Sequence, residues 1–178
     1  MTSRSSNIIV LVSIVVIFII SPDQFSRQCA VSHNHYRYKH RTQYLTVSQK
    51  LVEYAQSRAI DMAKTNDFNH IDSNPYGENL FKRSSSSGTR EQMVALDCNW
   101  PVKLWYDEID LYDFDRGKQK PGTKGTSGHF TQVVWKRTGT IGCAKSFSDK
   151  THTMYVICQY DPPGNVIGLY KENVPKLY

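Results

Sequence analysis

The chain has 178 residues, 39% of them hydrophobic and 21% charged, with 22 Lys and Arg against 16 Asp and Glu. This mix excludes a disordered or fibrous polymer, and the length suffices for one domain with a real core. The net charge of +6 is mild. Many lysines fall in one glycine-rich stretch, "DRGKQKPGTKGTSG", which reads as a solvated loop; a nucleic-acid face would need a denser basic stripe with interleaved aromatics, so a nucleic-acid partner is not expected. Contact with an anionic membrane is expected to be peripheral at most.

The first 21 residues stand apart. Arg4 precedes a 13-residue run, Ile8 to Ile20, broken only by Ser13. A membrane-spanning helix needs about 20 apolar residues, so this shorter run reads as a secretory signal peptide over residues 1–21. No A-x-A pattern marks a cleavage site, and a retained anchor is the alternative. The remainder, residues 22–178, is expected to form a single secreted, extracellular domain. Four cysteines behind such a segment, Cys29, Cys98, Cys143 and Cys158, point to disulfides. No N-x-[ST] sequon occurs.

In chain order, Ser26 is a candidate cap for a helix in which Ala30, His33, Tyr36 or Arg37, and His40 recur at helical spacing. Thr46 and Gln49 have capping-box spacing ahead of a second helix, whose stripe is Leu51, Ala55, Ala59, Met62 and Ala63. A loop rich in Asn, Asp, Pro and Gly follows and ends in the short apolar "NLF"; "KRSSSSG" reads as a surface loop. Thr89 and Gln92 form another capping box before "MVAL". Pro101 suits the first turn of a further helix, "PVKLWYDEIDLY". Three strand candidates come last: "HFTQVVW", "TIGCAKSF" and "TMYVICQY", the last two joined by "SDKT" and stopped by "DPPGN". Helices first and strands last make the class α+β, in layers.

Cys143 and Cys158 fall in the last two strands and can meet across a hairpin, closing about 15 residues. A zinc site would be the rival, but no C-x-x-C spacing occurs. Cys29 and Cys98 pair only by elimination, since nothing local brings them together.

"GHFTQVVWKRTGTIGCA" and "YVICQYDPPGN" resemble the two signature motifs of the CAP superfamily, which contains cysteine-rich secretory proteins, antigen-five venom allergens and plant pathogenesis-related class-one proteins. "HNHYRYKH", "GENL" and "LWYDEI" match three further blocks in order, and the resemblance covers about residues 29–174. It implies a three-layer α-β-α sandwich around a central antiparallel sheet. It also implies a cavity with two histidines and two glutamates: His70 in "NHIDS", Glu78 in "GENL", Glu108 in "LWYDEI" and His129 in "SGHFTQ". Taken one at a time these residues read as structural or solvated; the resemblance alone makes them one site.

Such a group permits a divalent metal such as zinc on His70 and His129, mutual hydrogen bonding without metal, or acid–base work. No cofactor is required. No G-x-S-x-G or H-E-x-x-H motif supplies a nucleophile or a metalloprotease site, and Ser127 beside Gly128 is ordinary loop composition. The expected function is therefore a non-enzymatic binding module for lipid, especially sterol, or for an extracellular protein. A metal-dependent hydrolase or protease is the alternative. Relatives that bind sterol use an aromatic loop of spacing Φ-x-Φ-x4-Φ. Here Tyr112 and Phe114 begin it, but Gln119 holds the third place. The chain ends at "YKENVPKLY", so the channel blocking assigned to a cysteine-rich extension in some relatives is not expected.

Overall fold

A computed structural model describes residues 22–178; the expected signal segment, residues 1–21, lies outside them. Helix α1 spans Pro22–Lys39. Its stripe is only partly apolar: Phe25, Cys29 and Ala30 are buried, and so are Ser26, His33 and Arg37. Ser26 is therefore no cap. It sits inside the helix, and its hydroxyl accepts the N–H of Cys143 at 3.0 Å.

Thr46 likewise caps nothing. It belongs to a two-residue strand, β1 (Thr46–Val47), and α2 (Gln49–Thr65) starts after Ser48, whose side chain makes no capping bond. The expected stripe of α2 is realised, with Leu51, Ala55, Ala59 and Met62 buried and Ala63 partly so. The apolar "NLF" extends into strand β2 (Gly77–Ser84), which takes in the first residues of the expected serine loop. The Thr89–Gln92 capping box forms in full at the start of α3 (Arg90–Val94). Helix α4 (Asn99–Asp107) begins two residues before Pro101 and tightens into a 3₁₀ turn, Glu108–Leu111.

The short ladder β3 (Tyr112–Asp113) and β4 (Lys118–Gln119) follows. "HFTQVVW" is not a strand: residues 128–133 form helix α5 (Gly128–Val133). Strands β5 (Thr140–Ser148) and β6 (Thr153–Asp161) fall where expected, and α6 (Tyr170–Asn173) closes the described elements.

The main sheet has the order β1-β5-β6-β2. Its long strands are antiparallel, as expected, while β1 joins β5 in parallel and makes the sheet mixed. Strand side chains alternate between faces. Tyr155 and Ile157 of β6 pack with Ala55, Ala59 and Met62 of α2. Met154, Val156, Cys158 and Tyr160 pack in the larger cluster with Phe25, Val102, Trp105 and Phe130 from α1, α4 and α5. These are the three layers. Gly142 lets α2 lie directly on β5: a Cβ there would come within 2.2 Å of the Leu51 backbone.

Cys143 and Cys158 face each other in the hairpin register and are bonded. Cys29 and Cys98 are bonded too, tying α1 to the start of α4. The sulfurs of Cys29, Cys143 and Cys158 lie within 4.8 Å of one another, so both cross-links sit side by side in the core.

Candidate functional site

The fold sets the four expected residues in two hydrogen-bonded pairs. His70 Nδ1 lies 2.9 Å from Glu78 Oε1, and His129 Nδ1 lies 2.6 Å from Glu108 Oε1. Carboxylate oxygens accept, so Nδ1 carries a proton in each ring, and in the neutral form of the ring Nε2 has the lone pair. Neither Nε2 makes a hydrogen bond among the described residues.

Each carboxylate is held from other directions. Glu78 accepts Arg58 Nε at 3.2 Å and Gln159 Nε2 at 2.6 Å, and its side chain is only 3% exposed. Burial pushes its carboxyl up, but hydrogen bonds from His70, Arg58 and Gln159, with the Arg58 charge, together hold it below the usual carboxylate range. Arg58 is itself aimed by a bond to the Asn69 carbonyl at 2.9 Å.

Glu108 works differently. Its Oε2 accepts the backbone N–H groups of His129 at 3.0 Å and Phe130 at 3.3 Å. These are free donors in the first turn of α5, and an anion there also suits the helix dipole. Glu108 thus both starts α5 and orients the ring that α5 carries. Trp105 stacks on His129, with centroids 6.2 Å apart, while its indole N–H is anchored on the Leu80 carbonyl at 3.1 Å.

The edge strand β2 touches both pairs: it carries Glu78, and its Asn79 bonds the backbone of His129. Successive side chains of a strand point to opposite faces, so Glu78 reaches Arg58 of α2 while Asn79 donates to the His129 carbonyl at 3.2 Å. No three of the four ligand atoms lie within 4.8 Å of one another; among the described residues the only such group is Cys29, Cys143 and Cys158, all in disulfides.

No serine, threonine or cysteine side chain bonds to either histidine among the described residues. Ser127 is buried and does not reach the His129 ring.

The expected lipid loop is placed otherwise than its spacing suggests. Tyr112 is 2% exposed, and Phe114 packs against the core; both rings lie against Phe130 at 5.7 and 6.0 Å. Gln119 ties the following loop to itself, donating to the Gly125 carbonyl and accepting Ser127 N–H.

Sequence reasoning missed Arg58, Gln159, Asn79 and Trp105. Two of them left a signal. Arg58 occupies a core-side position of the α2 stripe, three residues after Ala55, and Gln159 interrupts an otherwise apolar strand.

A family model described as "CAP: Cysteine-rich secretory protein family" matches residues 32–160. The chain belongs to this family. It is similar to Protein PRY2 of Saccharomyces cerevisiae, 36% identical over 154 residues that cover 86% of this chain and 42% of PRY2, so it spans less than half of that relative. It is also similar to human Golgi-associated plant pathogenesis-related protein 1, 34% identical over 156 residues, 85% of this chain and 92% of the relative. Among solved structures it resembles BmVAL-1 with a TM-score of 0.62 and 25% identity, over 92% of this chain and 85% of that one. The layered architecture of this CAP protein is accordingly the family's α-β-α sandwich.

Proposed function

We propose that this CAP protein is an extracellular binding module, not an enzyme, and that His70 and His129 hold a divalent cation such as zinc. The observation that carries the reading is the commitment of both Nδ1 atoms to carboxylates, which leaves both Nε2 atoms available. Carboxylates held behind ligating imidazoles fix the tautomer and raise ligand basicity, and imidazole suits zinc. Glu78 and Glu108 then act from behind the histidines, while Arg58, Gln159 and the α5 backbone hold the glutamates in place. A bound zinc would supply open coordination positions for water or for an oxygen or nitrogen of a partner. The family's description as secretory, the two buried disulfides and the apolar run before residue 22 support export. The inward packing of Tyr112 and Phe114 favours a protein over a sterol as partner at that loop.

Calorimetric titration with zinc is the test. His70→Ala and His129→Ala are each expected to weaken binding by at least about tenfold, and Glu108→Gln by about 10- to 100-fold. Because only unprotonated imidazole ligates, affinity should also fall on acidification. Zinc affinity unchanged in both histidine variants would remove the metal. Peptide cleavage that disappears in Glu108→Gln would replace the binding module with a hydrolase.

A further inference from the structure

The last turns of α1 and the segment after it, "HNHYRYKHRTQY", interleave aromatic and basic side chains. The fold leaves Tyr38 70% exposed and Tyr44 54% exposed along one groove, and lays the tail against it through Tyr178 N–H on the Lys39 carbonyl at 3.0 Å. The groove encloses about 670 Å³ between Tyr38, Lys39, Arg41, Tyr44, Leu177 and Tyr178. Past Tyr38 and Tyr44 it continues as a shallower trough beside Val31 and His35. Past Arg41 and Tyr178 it continues to Lys136 and Lys176.

Its charged side chains are basic except for Glu172. Lys39, Arg41 and Lys136 make no ion pair among the described residues. Lys39 Nζ rests 5.1 Å over the Tyr36 ring, and the Arg41 guanidinium lies over Tyr178. No carboxylate side chain lines the first two stretches. In the third, the one acid, Glu172, is held by Arg137 at 2.6 Å.

We propose that this groove binds an acidic polysaccharide, one bearing sulfate or uronate groups. Exposed phenol rings offer a flat apolar face to the C–H face of a sugar ring and a hydroxyl for its oxygens. Unpaired guanidinium and ammonium groups bind carboxylate or sulfate through charge-assisted bonds. The surface is concave and its aromatics are phenols, whereas a lipid surface calls for protruding apolar side chains. Three unpaired cations over this length are sparse for a phosphate backbone but sufficient for scattered acidic groups on a glycan. The groove shares no residue with the histidine–glutamate pairs, so it stands independently of the metal reading.

The full mature chain is titrated with dextran sulfate, polygalacturonate and uncharged dextran; single-stranded oligothymidine and phosphatidylserine vesicles serve as competing probes. Dextran sulfate, polygalacturonate or both should bind, and which one does so tells sulfate from carboxylate; dextran should not. Tyr38→Ala with Tyr44→Ala should weaken binding at least about tenfold, as should Lys39→Gln with Arg41→Asn. Asparagine is chosen because Arg41 has φ of 50°, which Asn tolerates. Lys124→Gln, outside the groove, should change nothing. All four substituted positions are exposed, so melting temperatures should match the parent. The proposal is overturned if neither acidic polymer binds, if removing the tyrosines leaves binding intact, or if oligothymidine or vesicles bind as tightly as the acidic glycan.

Discussion

His33 divides the roles of its two ring nitrogens. Nδ1 faces the Cys29 carbonyl at 2.7 Å, which can only accept, so Nδ1 carries the proton and Nε2 accepts the Tyr160 hydroxyl at 2.8 Å. Burial pushes its pKa down to about 3; the bond to Cys29 opposes this and the Arg37 charge adds to it. The unfolded chain takes up that proton near the ordinary imidazole value of about 6.5. Between about pH 6.5 and about pH 3 the unfolded state therefore binds one more proton, and stability falls with acid by up to about 1.4 kcal/mol per pH unit. His40, lowered by burial and bonded to Pro175 and Tyr106, adds in the same direction. Urea denaturation across this range should show the slope. His33→Asn should lower stability at neutral pH, because Tyr160 loses its acceptor, yet flatten the slope by about one proton. A slope unchanged by the substitution would contradict the neutral, Nδ1-protonated assignment.

Among the elements, α5 shows where sequence reading stopped. Its β-branched and aromatic residues read as a strand, and local propensity has no term for what decides the matter. One end of the helix is held by the Glu108 carboxylate on the His129 and Phe130 N–H groups. At the other end Arg37, buried in α1, donates to the carbonyls of Val133, Trp135, Thr138 and Gln43. Both holds come from distant sequence, so tertiary contacts override propensity. Arg37→Met should cost at least about 3 kcal/mol by stranding buried carbonyls. Arg37→Lys should rescue little, because an ammonium lacks the planar fork. Chemical denaturation gives both values, and a loss under about 1 kcal/mol for Arg37→Met would contradict this account. Elements set by local patterns were legible: the stripe of α2, the Thr89 capping box and the β5–β6 hairpin with its opposed cysteines. The caps expected of Ser26 and Thr46 failed because the sheet and the core used those residues first.

At the scale of the molecule, two cross-links reinforce the fold, one across the β5–β6 hairpin and one between α1 and the start of α4. In the chain-entropy picture the 15-residue span of Cys143–Cys158 is worth about 3 kcal/mol and the 69-residue span of Cys29–Cys98 about 4 kcal/mol. The second was beyond sequence reasoning, since it depends on how α1 lies against α4. The four site residues could be named from motif resemblance, but their division into two pairs, and the arginine that balances one of them, follow from α2, β2 and α5 converging at a sheet edge. The central claim is that both histidines keep Nε2 free for a single cation. Its most direct test is a long-range proton–nitrogen correlation spectrum of the imidazoles during a zinc titration. His70 and His129 should both carry their proton on Nδ1 before zinc is added, and both Nε2 resonances should shift together as zinc binds. An Nε2-protonated form of either ring, or a zinc-dependent shift in one ring or neither, would contradict it.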